Sequence, residues 1–153
     1  IIARFMVEFL ILCMSLIVLL IIGYYLELDM HVENINMVIV GFLWLAIFSF
    51  GIGLLFAIIR VYFESFNKIV NFLFLPLFFI SALFYTVESL PLIAQEYILY
   101  NPLVHFIEMI HGFYFKVLDT TYVNYTFMTL ITLIPLVSGL WLYKETEEKI
   151  IAS

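Results

Sequence analysis

Residues 37–59 read MVIVGFLWLAIFSFGIGLLFAII, an apolar run without a charged side chain. At a rise of ~1.5 Å per residue, a helix over this run reaches roughly 30 Å, the thickness of a bilayer's hydrocarbon core. Three further runs of this kind surround it: 5–24, interrupted only by Glu8, then 69–87 and 122–143. The whole chain is 66% hydrophobic and 12% charged, with a mean hydropathy of +1.19. No soluble fold of 153 residues has enough interior to hide that much apolar surface. The expectation is an all-α integral membrane protein with four transmembrane helices in a single domain over residues 1–153.

The charges sort by side. Arg4 precedes the first run, Arg60 and Lys68 bracket the second connection, and Lys144 and Lys149 follow the last run. Only Lys116 lies on the other side. Short segments rich in Lys and Arg stay cytoplasmic, so both ends of the chain are expected on the cytoplasmic side. The net charge of −6 then belongs to the outer side, where Glu27, Asp29, Glu33, Glu88, Glu96, Glu108 and Asp119 face Lys116 alone. Positive-inside sorting accounts for this; an outer mouth that repels an anionic product would too. The chain begins with Ile1 rather than Met, so it is expected to continue a longer protein. Cys13 lies within a span and reads as a small packing residue.

Residues 88–121 fit neither an ordinary loop nor a crossing. Two apolar pieces, 91–100 and 102–115, are separated by Asn101-Pro102, a favourable helix start with Asn at the N-cap and Pro at N1. Each is too short to span the bilayer and both flanks belong to the outer side. An outer re-entrant or interfacial helical hairpin over 91–115 satisfies these constraints, provided that its non-helical backbone is shielded.

On the second hairpin helix His105, Glu108 and His111 recur every third residue, a narrow polar stripe over about 120° of arc. The spacing matches no zinc-protease pattern, and a stripe facing water or a gate is the expected arrangement. Most tyrosines fall near the outer boundary as an interfacial belt; a subset including Tyr85, Tyr97 and Tyr100 is a candidate polymer path. Ser49 and Gly53 form a small-xxx-small step for close helix approach. Pro76 and Pro135 read as kinks. Arg60, Glu64 and Lys68, spaced i, i+4, read either as a juxtamembrane charge ladder or as a contact surface for a partner. No Walker A motif, no nucleophile elbow and no basic nucleic-acid patch is present in the sequence.

Several short motifs keep a common order: Gly51-Ile52-Gly53, Arg60 with Phe63-Glu64, Leu75-Pro76-Leu77-Phe78-Phe79-Ile80-Ser81, Leu90-Pro91, and Asn101-Pro102-Leu103-Val104-His105 with Glu108. In these the chain resembles the membrane subunit of ABC-2 type exporters, the branch that exports capsular and related polysaccharides. The resemblance is specific over the middle of the chain and loose over the rest. It implies the later part of a six-span transmembrane domain, paired with a second copy of itself and with two ABC ATPase subunits. ATP and Mg would be bound by those ATPases, with no cofactor in this chain. It also implies Arg60, Glu64 and Lys68 as an ATPase-facing loop, and Pro91, Asn101, Pro102, His105, Glu108 and His111 as a candidate outer gate. Two positions depart from the family: His111 stands where Arg is frequent, and Ala82 where Gly is common.

The expected function is that of a non-enzymatic permease subunit, moving lipid-linked capsular polysaccharide across the inner membrane in contact with membrane lipid and no nucleic acid. The same fold exporting teichoic acid, O-antigen, a drug or a lipid is the nearest alternative. A membrane-embedded acyl or glycosyl transferase using His105, Glu108 and His111 is the alternative from another class.

Overall fold

The computed structural model describes residues 2–26, 32–63, 65–115 and 120–152, and every regular element among them is helical. The chain runs through α1 (Ile2–Tyr25), α2 (Ile35–Tyr62), α3 (Phe66–Phe79), a 3₁₀ turn (Val87–Ser89), α4 (Leu92–Ile98), α5 (Pro102–Tyr114) and α6 (Tyr125–Ala152). Helix α2 and the Tyr125–Thr146 portion of α6 are long and apolar enough to cross a membrane. Helix α1 is a further 24 residues of mostly apolar side chains.

Helices α2 and α6 form the principal pairing, with α5 packed on both. Trp44 meets Thr132, Gly51 meets Leu136 and Leu54 meets Gly139, so the two long helices run in the same direction. Helix α5 runs against α2: Ile110 lies over Gly41 and Phe106 stacks on Phe48 at 5.1 Å. At the far end the backbone N–H groups of Asn34 and Glu33 donate to the carbonyls of Phe113 and Tyr114 at 3.0 and 3.3 Å. Phe48, Phe106, Met109 and Met128 form the core between the three helices.

The close approach lies one turn-face away from where the sequence pattern placed it. Ser49 is exposed and a Cβ on Gly53 would meet nothing within 4 Å. Gly51 carries the contact instead: a Cβ there would sit 2.8 Å from the Leu136 backbone nitrogen. Gly139 faces it from α6, with its own Cβ position 3.1 Å from Leu54 Cβ. With lipid outside as apolar as the helices themselves, such backbone approach supplies much of the pairing energy.

Two more expectations change. The run 69–87 is helical only as far as Phe79, because Pro76 removes a donor in the last turn and Ala82 then takes a left-handed φ of 61°. The charge ladder of Arg60, Glu64 and Lys68 is not one helical face either. Helix α2 ends at Tyr62, Phe63 is extended (φ −135°, ψ 95°), and α3 starts at Phe66. Arg60 and Lys68 are both exposed on the two sides of that break, while Glu64 lies outside the described residues.

Candidate functional site

A helix that stops inside an apolar environment leaves its last carbonyls without partners. Here each carbonyl at the end of α3 finds a named donor. The backbone N–H of Ile80 donates to the Pro76 carbonyl at 3.0 Å. Ser81 donates to Phe78 through its hydroxyl at 2.6 Å, and the Tyr85 hydroxyl donates to Phe79 at 3.3 Å. Asn101 Nδ2 takes the remaining two, Leu77 at 3.4 Å and Ile80 at 3.1 Å. The other end of the same Asn101 amide accepts the Leu103 N–H at 3.1 Å and so caps the start of α5. One buried side chain therefore closes α3 and opens α5.

A second tie runs beside it. Glu108, 4% exposed, accepts the Val87 N–H at 2.8 Å through Oε1. That holds the 3₁₀ turn to the middle of α5, over a cluster of Ala82, Val87, Ile98 and Val104. His105, 3% exposed, makes the third tie. Its Nδ1 accepts the Asn124 N–H at 3.3 Å, which leaves the proton on Nε2 to donate to the Leu99 carbonyl at 2.9 Å. Asn124 in turn caps α6 by accepting the Phe127 N–H at 2.9 Å.

The polar stripe thus faces inward rather than water at two of its three positions. Glu108 and His105 clamp backbone from other segments, and only His111 is half-exposed, with Nδ1 buried and unpartnered and its ring against Phe115. Among the described residues no three His, Cys, Asp or Glu side chains converge as a metal site. With both nitrogens of His105 committed to backbone, the transferase alternative has no free general base at that position.

The remaining candidates separate. Pro91 is the N-cap of α4 in extended conformation (φ −58°, ψ 145°) and Pro102 is the first residue of α5, both suited to proline. Helix α4 lies on the surface: Leu92, Ile93 and Tyr97 are each more than 70% exposed. Tyr85 is spent on the α3 terminus, and Tyr97 and Tyr100 are exposed. Tyr100 also lines an open recess of 660 Å³ together with Leu99, His105 and residues Thr121, Tyr122, Val123, Asn124, Tyr125, Thr126 and Phe127. Sequence reasoning missed Tyr122 and Tyr125 as neighbours of Tyr100, because the His105 tie and the apolar cluster under the 3₁₀ turn, which join Leu99 to residues 122–124, are contacts distant in sequence.

Asn101, Glu108 and His105 each hold the backbone of another segment in place. The chain belongs to the ABC-2 type transporter family, whose profile matches residues 1–115. Over all 153 of its residues it is 31% identical to the polysialic acid transport protein KpsM of Escherichia coli, of which it spans 59%. Over 110 residues, 70% of this chain and 40% of the relative, it is 34% identical to the capsule polysaccharide export inner-membrane protein CtrC of Neisseria meningitidis serogroup A. It is 32% identical to the capsule polysaccharide export inner-membrane protein BexB of Haemophilus influenzae over 115 residues, 73% of this chain and 42% of that one. The chain spans less than two thirds of the length of these relatives.

Proposed function

We propose that this chain is part of the membrane permease of an ATP-driven exporter that moves lipid-linked capsular polysaccharide across the bacterial inner membrane. The similarity over its full length to a polysialic acid transport protein carries this reading. In it, α1, α2, the α3 segment and α6 cross the bilayer, both ends lie in the cytoplasm, and α4–α5 form a re-entrant outer hairpin. The permease works as a pair of identical subunits with two ATPase subunits. Arg60 and Lys68, exposed at the α2–α3 break, present the cytoplasmic contact for an ATPase, with Glu64 between them. Helix α5 is the outer gate element, and Asn101, His105 and Glu108 are the fixed points through which its movement reaches α3, the 3₁₀ turn and α6.

Two measurements test the proposal. The full-length protein, purified from its host in mild detergent, should bring down a stoichiometric ATP-hydrolysing subunit. Deleting its gene should leave polymer inside the cell and none on the surface. A protein that purifies alone after gentle crosslinking, in a host whose surface polymer survives the deletion, would sink it.

A further inference from the structure

The recess beside His105 differs in kind from the other hollows on the molecule. A 390 Å³ groove between α2 and α6 is lined by Val40, Leu43, Trp44, Ile47, Thr129, Thr132 and Leu133, and its one internal polar pair is satisfied: Trp44 Nε1–H donates to Thr132 Oγ1 at 3.1 Å. Such a surface suits acyl chains. The 660 Å³ recess instead mixes aromatic rings with hydroxyls and an amide: Tyr100, Tyr122 and Tyr125 alternate with Thr121, Asn124 and Thr126.

Its walls are fixed. Leu99 and Asn124 both line it, and the nearly fully buried His105 bonds to the backbone of both. Phe127 also lines it, edge-on to His105 with ring centroids 5.2 Å apart. Tyr122 packs against the cluster under the 3₁₀ turn, whereas Tyr100 and Tyr125 are 80% and 42% exposed at the mouth. Among the described residues no Lys, Arg, Asp or Glu lines it, and both ring nitrogens of His105 bond to backbone.

We infer that this recess is a carbohydrate subsite, which takes a sugar residue of the exported polymer by stacking on Tyr100 and Tyr125 and by hydrogen bonds to the Thr and Asn side chains. Sugars present apolar ring faces beside hydroxyl groups that both donate and accept, which is the chemistry of this lining. A lipid headgroup would bring a phosphate, and among the described residues that line the recess there is no Lys or Arg to meet it. Its volume is within the range of small-ligand sites. The inference rests on the polysaccharide-export reading and adds the place where the sugar is held. It also redraws the candidate path: Tyr100 stays, Tyr85 leaves it, and Tyr122 and Tyr125 enter.

The test uses the full-length transporter with its ATPase in nanodiscs, and short labelled oligosaccharides released from the host's own surface polymer. Tyr100→Ala and Tyr125→Ala should each weaken binding about tenfold, as expected for aromatic anchors, while Tyr100→Phe and Tyr125→Phe keep most of it. Thr126→Trp, which fills the recess from an exposed position, should abolish binding without lowering the amount of folded protein. Tyr24→Ala, on an exposed tyrosine at the end of α1, serves as the control and should bind as the parent does. Unchanged binding in Thr126→Trp, or glycerol phosphate displacing the label while unlabelled oligosaccharide does not, overturns the subsite. The gene deletion reports separately: lost surface polymer with unaffected binding by the variants overturns the recess alone, and surviving surface polymer overturns export itself.

Discussion

The α2–α6 seam and the α3–α5 joint solve the same problem, cohesion without a hydrophobic drive from water, by opposite means. The seam has little polar content: Gly51 and Gly139 let two backbones approach until a single methyl would not fit. The joint is held by side chains that bond to backbone, with Asn101, Glu108 and His105 each reaching a segment at least six residues away. Regular helices need only shape, because their backbone is already satisfied. Interrupted backbone needs donors and acceptors delivered to it.

This contrast sets the size of mutational effects. Gly51→Leu should be the most severe substitution in the chain. Its Cβ would meet the Leu136 nitrogen at 2.8 Å and Cα at 3.0 Å, neither of which can rotate away. A loss of more than about 3 kcal/mol is expected in mixed-micelle unfolding. Gly53→Leu, two residues on and facing open space, should stay within ~0.5 kcal/mol of the parent. Equal losses at the two sites would break the assignment of the seam.

At the joint, Asn101→Ala removes the α5 cap and uncovers two α3 carbonyls, and should cost about 2–4 kcal/mol. Asn101→Asp keeps the capping oxygen but loses both donated bonds, so the difference between the variants isolates the tie to α3. Glu108→Ala should cost roughly 1–3 kcal/mol by orphaning the Val87 N–H. Glu108→Gln, which retains an acceptor, should recover most of that. If Glu108→Gln is as damaging as Glu108→Ala, the carboxylate has a role other than holding the turn.

The smallest effect is expected at Ala82. A φ of 61° costs an alanine about 1 kcal/mol, which glycine would relieve. The Ala82 methyl is also fully buried, worth ~0.8 kcal/mol. Ala82→Gly should therefore melt close to the parent, whereas Ala82→Val, with a branched side chain in a left-handed position, should be clearly destabilised. At this position the chain exchanges backbone ease for packing.

Much of this was legible in the residues. The apolar runs mark α1, α2 and α6, and Asn101-Pro102 marks the start of α5 to the residue. Composition cannot distinguish a buried carboxylate from an exposed one, so the stripe of His105, Glu108 and His111 reads as facing water or a gate until its partners are known. Those partners, Val87, Leu99 and Asn124, are backbone groups, and backbone groups carry no sequence signature. The same blindness places Ser49 and Gly53 at a seam that Gly51 occupies.

Sequence by itself determined that this chain is helical, built for a membrane, and broken at Asn101-Pro102, because hydropathy, helix length and proline act locally. Tertiary structure alone decided which glycine touches, which tyrosines share a recess, and that the acidic and imidazole side chains of α5 serve as clamps. Those outcomes depend on which backbone groups lie unpaired nearby, and that is settled only when helices distant in sequence come together.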